Sequence, residues 1–370
     1  MDNSVQKSIE DTMNRFDLEQ KFQKNCVIVD DLGKPSVMVY VKKFYLDEVI
    51  DGASHIPHPA FIVDGGELDG IYISKFQNVL VDGRAYSLPD KDPTTHVDFD
   101  AAIAACSSKG KGFHLMTAME WGAIALWCQK NHMLPFGNNA MGKDIREEHR
   151  VARISYYDAE KSMCRTATGT GPIEWSHNRS TDGIYDLNAN VWEWVGGMRL
   201  VFGELQILPN NDGASTSYSQ SQSSLDWRAI DGTSGEFIIP DGKGTTPNSI
   251  KLDYINDKWV YLTDRVTSPV DSFRFCPFLD VTADSSICQK SKEILYALAD
   301  LPYRDDEELK EVSLYANNGA DERIAFRGGR WGQGLNSGIF KTCFDDPRSF
   351  SGDAVGFRSA YYANQHVAAV

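Results

Sequence analysis

Hydrophobic positions along this chain change their period several times. Val5, Ile9, Met13 and Phe16 recur at spacings of four, four and three amid charge, which is one stripe of a helix. That helix is expected to pack on the main body, with an oligomerisation helix as the alternative. From Ser36 the pattern becomes strand-like. SVMVYVKKFYL and GIYISKFQNVLV (Gly70–Val81) are dense in β-branched and aromatic residues. Two helices follow. One starts near Asp98 and covers DFDAAIAAC. The other is marked in TAMEW, where Thr117 and Glu120 have the spacing of a capping box ahead of an apolar run.

Residues 131–182 are rich in Gly, Asn, Ser and Thr, with LPFGNNAMGK and TATGTGP as loop signals. GIYDLNANVWEWVGGMRLVFGE reads as a turn and then an aromatic strand. Residues 205–320 alternate short apolar runs (GEFIIP, DKWVYLT) with polar stretches such as STSYSQSQSS, which predicts a long insertion, helical near SKEILYALADL. No internal repeat is sustained. The expected class is α+β, with an N-terminal helical segment over residues 1–35 and one domain over 36–363.

Composition removes several functions. The 370 residues are 42% hydrophobic and 24% charged, a globular composition long enough for a full core. A net charge of −15 and a pI near 5.0 argue against nucleic acid and against an anionic membrane surface. The first residues, MDNSVQKSIEDTMNRF, are acidic where a signal peptide needs basic and then apolar positions. The longest apolar run, Trp121 to Cys128, is too short to span a bilayer. The chain is therefore expected to be made in the cytoplasm without classical export and without membrane insertion. Seven scattered cysteines with no C-x-x-C pair predict free thiols, and neither a zinc site nor a disulfide framework.

Candidate chemistry is sparse. No G-x-S-x-G, H-E-x-x-H or P-loop occurs. His55 and His58 stand three apart with a proline between them, a weak metal spacing. In DLNANVWEW, Asp186 and Glu193 are hard oxygen ligands around a turn with Asn188 and Asn190, as calcium requires. An ordinary turn in which Asp and Asn bond their own backbone accounts for the same residues.

The segment from Arg327 to Arg358, RGGRWGQGLNSGIFKTCFDDPRSFSGDAVGFR, interleaves two kinds of residue. Its glycines suit tight turns, Trp331, Phe340 and Phe357 can anchor them, and the Arg327 and Arg358 forks can hold loop carbonyls or carboxylates. The remaining positions share no chemistry and would project from well-held loops, where binding residues concentrate.

GIYISKFQN, GFHLMTAMEWGAIAL, GIYDLNANVWEWVGG and FRGGRW with GFRSAYY occur in the order found in the formylglycine-generating-enzyme-like branch of the C-type lectin fold. The chain resembles that branch over roughly residues 36–200 and 322–363, with 205–320 inserted. Its last segment is similar to that of the variable proteins of diversity-generating retroelements, RGGxWxxGxxSGxFxxxxxxPRSxSxxxxGFRxA. That resemblance implies a diversified, ligand-facing set over 327–358: Arg330, Trp331, Gly332, Gln333, Leu335, Asn336, Lys341, Cys343, Asp345, Asp346, Phe350, Gly352, Asp353 and Ala354. Arg330, Trp331 and Phe350 would be the anchors, since Arg and aromatic residues dominate binding hot spots.

The resemblance also bears on catalysis and metal. Formylglycine-generating relatives carry two cysteines after the glycine pair. Those slots fall at Gln333 and Gly338, and Cys343 lies five residues beyond the second. Iron-dependent relatives need an upstream histidine-rich bundle, and residues 1–35 hold no histidine. The implied protein is thus not an enzyme. The family's calcium turn carries over to the side chains of Asp186 and Glu193 and the carbonyls of Ala189 and Val191, a structural ion rather than a required cofactor. No E-P-N or Q-P-D cluster points to sugar bound through calcium. The expected role is that of a phage tail or surface adhesin taking a bacterial surface protein or glycan. A second copy, through the N-terminal segment, or virion components are the other partners expected. Its expected place is the virion or a cell surface. The alternatives are an oxidase with a displaced site and a structural virion protein whose insertion makes the contacts.

Overall fold

The computed structural model describes residues 14–363. Of the N-terminal stripe, Val5, Ile9 and Met13 lie outside these residues. Phe16 is exposed, and Leu18 on the Arg15–Lys21 helix is the residue that docks.

Two sheets organise the chain. The first has the strand order Cys26–Val29, Pro35–Lys42, Gly70–Ser74, Ser359–Tyr361, Phe113–Leu115. The chain's last strand thus lies between two strands from its first third. Ala360 pairs with Ile73 on one side and His114 on the other. The second sheet has twelve strands built around Trp192–Val201, whose ten residues are all buried. This strand runs antiparallel to Arg323–Gly328 and parallel to Val355–Phe357.

The helices start where their caps predict. Asp98 accepts from the Ala101 N–H ahead of Phe99–Ser107. Thr117 and Glu120 form a reciprocal capping box on Ala118–Lys130. That second helix is apolar nearly all round because it is buried nearly all round. Its Trp121 is fully buried and donates through Nε1 to the Ile339 carbonyl at 2.6 Å. Among the described residues no helix is long and apolar enough to cross a membrane.

GIYISKFQNVLV does not stay in one strand. It is extended over Gly70–Ser74 and again over Val79–Val81, with Lys75, Gln77 and Asn78 buried between. Gln77 leaves the sheet to bond the WEW turn, Lys75 donates to the carbonyls of Thr181 and Gly183, and Asn78 accepts from the Ser359 N–H. The span 131–182, expected as loops, contains a hairpin of Ile154–Asp158 and Met163–Thr166.

The span 205–320 continues the second sheet rather than standing outside it. Lys251–Ile255, Lys258–Leu262, Arg274–Pro277 and Ser313–Ala316 are all strands of that sheet. Leu252, Trp259, Tyr261 and Leu295 share one core with Trp121, Met198 and Phe340. The predicted helix is present over Gln289–Ala297.

One row across this sheet frames the candidate site. Phe275 pairs with Tyr315, Tyr315 with Cys343, Cys343 with Phe326, and Phe326 with Trp194. Residues in register share a face, and Lys341, two positions from Cys343, lies on it too.

Candidate functional site

The segment 327–358 is held from below by its two arginines. Arg327 is fully buried and donates to the Leu298 carbonyl at 2.8 Å and to Thr342 Oγ1 at 2.5 Å, with Asp300 Oδ1 at 3.1 Å. Arg358, equally buried, forks onto Glu193: Nε to Oε2 at 2.5 Å and Nη2 to Oε1 at 2.6 Å. It also donates to the carbonyls of Ser74 and Tyr185, both at 3.1 Å. Removing one member of such a pair leaves an uncompensated buried charge, which costs roughly 3–5 kcal/mol.

Above this frame, Gly328 (φ 89°) and Gly329 (φ 94°) turn the chain out of its strand. A Cβ on Gly329 would come within 2.4 Å of Ser337 Oγ, so the turn requires glycine. The following loop closes on itself: Gln333 Oε1 accepts from the Arg330 N–H at 3.1 Å. Trp331 sinks into the molecule and donates from Nε1 to the Ser162 carbonyl at 2.9 Å, tying this loop to the 154–166 hairpin.

These contacts leave a cavity of about 400 Å³. Seven of the expected ligand-facing residues line it together: Arg330, Trp331, Asp346, Phe350, Gly352, Asp353 and Ala354. Trp192, Phe326, Met163 and Val355 supply apolar surface, and Lys161 a cation. Phe350 leans over Gly352, where a Cβ would lie 2.9 Å from its ring. Asp353 is tied to His96 Nε2 at 2.5 Å. Burial and the charge of Asp345 push the Asp346 carboxyl up to about 6, against the pull of Arg323. Burial raises Asp345 as well. A cavity with aromatic and aliphatic walls beside charged groups of both signs suits a ligand with an apolar body and charged or hydrogen-bonding ends.

The other expected residues lie elsewhere. Gly332 is exposed, with open space where a Cβ would stand. Leu335 borders a small separate recess with Arg146 and Leu309. Asn336 accepts from Ser313 Oγ at 3.2 Å and gives its carbonyl to Lys341. Lys341 and Cys343 correct the expectation of a ligand-facing set, because both are buried. Their strand, Gly338–Phe344, is flanked by Ser313–Ala316 on one side and Arg323–Gly328 on the other. Lys341 Nζ donates to Ser313 Oγ at 2.9 Å and to the Asn336 carbonyl at 2.8 Å, and lies 4.3 Å from the Tyr315 ring centroid. Burial pushes its amine down to about 7 and the Cys343 thiol well up. Trp331 lines the cavity yet is itself almost wholly covered, so it offers an edge rather than a free face.

The cavity partners that sequence reading missed are Lys161, Met163, Trp192, Phe326 and Val355. Trp192 stood in the marked WEW motif. Nothing marked Lys161 or Met163.

The two candidate metal sites differ in how their oxygens and nitrogens are placed. His58 is buried, its ring pushed down to about 3, whereas His55 is on the surface against Asp47 at 2.9 Å. The two do not form a site. At the WEW turn, the carbonyls of Ala189 and Val191 and Oε1 of Glu193 do converge, as calcium would require. They converge on a protein atom, Gln77 Nε2, at 3.2, 3.0 and 3.0 Å. The Asp186 carboxyl does not join them, since it accepts from the Gly169 N–H and only its carbonyl reaches Gln77. Gln77 Nε2 fills the centre of these oxygens and Arg358 offsets Glu193, which speaks against a calcium ion at that point, while Asp186 Oδ1 and Asn188 Oδ1 on the same turn are buried without a hydrogen-bond partner. Among the described residues, no group of three or more His, Cys, Asp or Glu could hold a metal. All seven cysteines are free thiols, five of them buried. Gln333 and Gly338 occupy the two slots at which the oxidase relatives carry cysteine.

Comparison with known proteins agrees with this architecture. Residues 29–200, somewhat under half of the chain, match the family described as the sulfatase-modifying factor enzyme 1-like domain. The fold is accordingly α+β, a C-type lectin fold of the formylglycine-generating-enzyme type. Two similar solved structures are PvdO from Pseudomonas aeruginosa (12% identity, TM-score 0.36) and Treponema denticola variable protein 1 (11% identity, TM-score 0.30). Each alignment covers 91% of this chain and 98% of the other. At these scores neither likeness carries weight for function. No curated protein matches the chain.

Proposed function

We propose that this chain is a non-enzymatic ligand-binding protein that presents the 330–354 loops on a rigid scaffold, as a phage tail or surface adhesin for a bacterial surface protein or glycan. The observation that supports this most is the convergence of Arg330, Trp331, Asp346, Phe350, Gly352, Asp353 and Ala354 on one cavity while Arg327 and Arg358 fix the strands beneath. Loops so held can change sequence without unfolding the domain. Gln333 and Gly338 in the cysteine slots speak against the oxidase alternative.

Two experiments test the reading. Sequencing the DNA beside the gene should reveal a near-copy of the codons for Arg327–Arg358, differing chiefly at adenines, next to a reverse-transcriptase gene. Its absence would remove the diversified part of the proposal. Purified protein should bind a subset of bacterial strains, and Arg330→Ala with Phe350→Ala should abolish that binding while the melting curve stays cooperative. Unchanged binding would move the contacts to residues 205–320.

A further inference from the structure

The turn before the WEW motif contains three non-glycine residues in the left-handed region: Asp186 (φ 62°), Ala189 (φ 66°) and Asn190 (φ 61°). Side chains rarely adopt that conformation, so something must hold it. Four oxygens from this turn surround one nitrogen. Gln77 Nε2 lies 3.2 Å from the Asp186 carbonyl, 3.2 Å from that of Ala189, 3.0 Å from that of Val191 and 3.0 Å from Glu193 Oε1. An amide nitrogen has only two hydrogens, so the four acceptors must share them. Such crowding is what a cation gathers, whereas an ordinary side-chain amide is satisfied by two acceptors.

The identity of the nitrogen follows from a chain of bonds. The backbone N–H of Thr166 can only donate, and it donates to Asn190 Oδ1 at 2.9 Å. That leaves Asn190 Nδ2 to donate to Gln77 Oε1 at 2.9 Å and to the Thr166 carbonyl at 3.1 Å. The Gln77 nitrogen is therefore the end facing the four oxygens, with its orientation set through two amides rather than chosen freely. Arg358 offsets the charge of Glu193, one of the two buried carboxylates of this turn; the other, Asp186, accepts from the Gly169 N–H through Oδ2 and has no hydrogen-bond partner at Oδ1.

We propose that the Gln77 carboxamide, backed by Arg358, stands in for a divalent cation at this turn, making the loop that presents Trp192 to the cavity independent of metal. The dipole of the amide supplies the positive centre, and the guanidinium supplies the charge. Placing a carboxylate at position 77 should create a need for an ion, because the same carbonyls and Glu193 would then face a second anion.

Thermal unfolding of the full chain in calcium and in chelator tests this. The wild-type melting temperature should be the same in both. That of Gln77→Glu should be lowered in chelator and should rise with the logarithm of calcium concentration. A wild-type melting temperature that itself rises with calcium overturns the proposal. So does a folded Gln77→Glu protein that ignores calcium. Should that variant fail to fold, the wild type decides alone through its side-chain amide signals. A Gln77 NH₂ pair strongly protected from hydrogen exchange in chelator supports the proposal, and a fast-exchanging pair overturns it.

Discussion

The strand Gly338–Phe344 and the loop Asp345–Ala354 are neighbours with the same mixed sequence texture, yet they differ in access. All seven strand residues are buried, whereas the loop residues are partly or fully exposed. The strand is enclosed because Ser313–Ala316 lies beside it, and Lys341 is roofed by Tyr315 and Trp192. The loop is open because Phe350 and Ala354 anchor it at the cavity's edge without covering it. Lack of pattern in a sequence therefore accompanies two settings: open positions on a loop, and unusual but fixed chemistry inside a sheet.

The largest contrast should come from truncating one aromatic in each region. Phe344 is fully buried in the core, so Phe344→Ala is expected to cost about 3–5 kcal/mol in urea unfolding. Phe350 is half-buried, and Phe350→Ala should cost about 1 kcal/mol while removing ligand binding. Equal costs would erase the distinction between strand and loop.

Lys341 sharpens the comparison through pH. Its folded amine titrates at about 7, against 10.5 in the unfolded chain. Between those values the unfolded chain holds a proton that the folded chain does not, so stability rises with pH across this window. Unfolding of the wild type and of Lys341→Met should show the wild type gaining on the variant as pH climbs from 7 toward 10.5. Parallel curves would place the amine in solvent.

On the loop the sign reverses. Asp346 titrates at about 6 when folded and 3.8 as a free carboxyl, so its favourable neutral form is complete below 3.8 and lost as pH rises through 6. Asp345→Asn with Asp346→Asn should therefore raise the melting temperature above pH 6 and leave it unchanged below pH 3.8. A gain at both ends would point to something other than charge. The smallest effect belongs to the outer loop. Leu335→Ser should stay within about 0.5 kcal/mol, as exposed positions do.

Much of this fold was legible in the sequence because its signals are local. The helix caps, the strand-rich runs and the frame of 327–358 each rest on residues a few positions apart. The roles foreseen for Arg327 and Arg358 are met because a buried guanidinium has few alternatives to carbonyls and carboxylates. What stayed hidden is long-range. The burial of Lys341 and Cys343 depends on a strand near position 314 within a span of weak periodicity. Lys161 and Met163 reach the cavity through a hairpin of ISYYD and MCRT, which a Gly- and Ser-rich setting masks. Three of the four oxygens expected at the WEW turn converge, and the fourth, the Asp186 carboxyl, points to the Gly169 N–H instead. Their partner, Gln77, is more than a hundred residues away, and no spacing rule could have named it.

The placement of Ser359–Tyr361 between Gly70–Ser74 and Phe113–Leu115 has a consequence for how the molecule is made. As the chain leaves the ribosome, its first sheet must wait with a gap until the final strand emerges. Two open strand edges are sticky for that whole interval. A frameshift or stop codon anywhere in the loops at 330–354 removes the strand that fills the gap, so defective copies should clump or be degraded. The strand that closes this sheet is made after the loops, so the loops must be translated intact before the sheet can close.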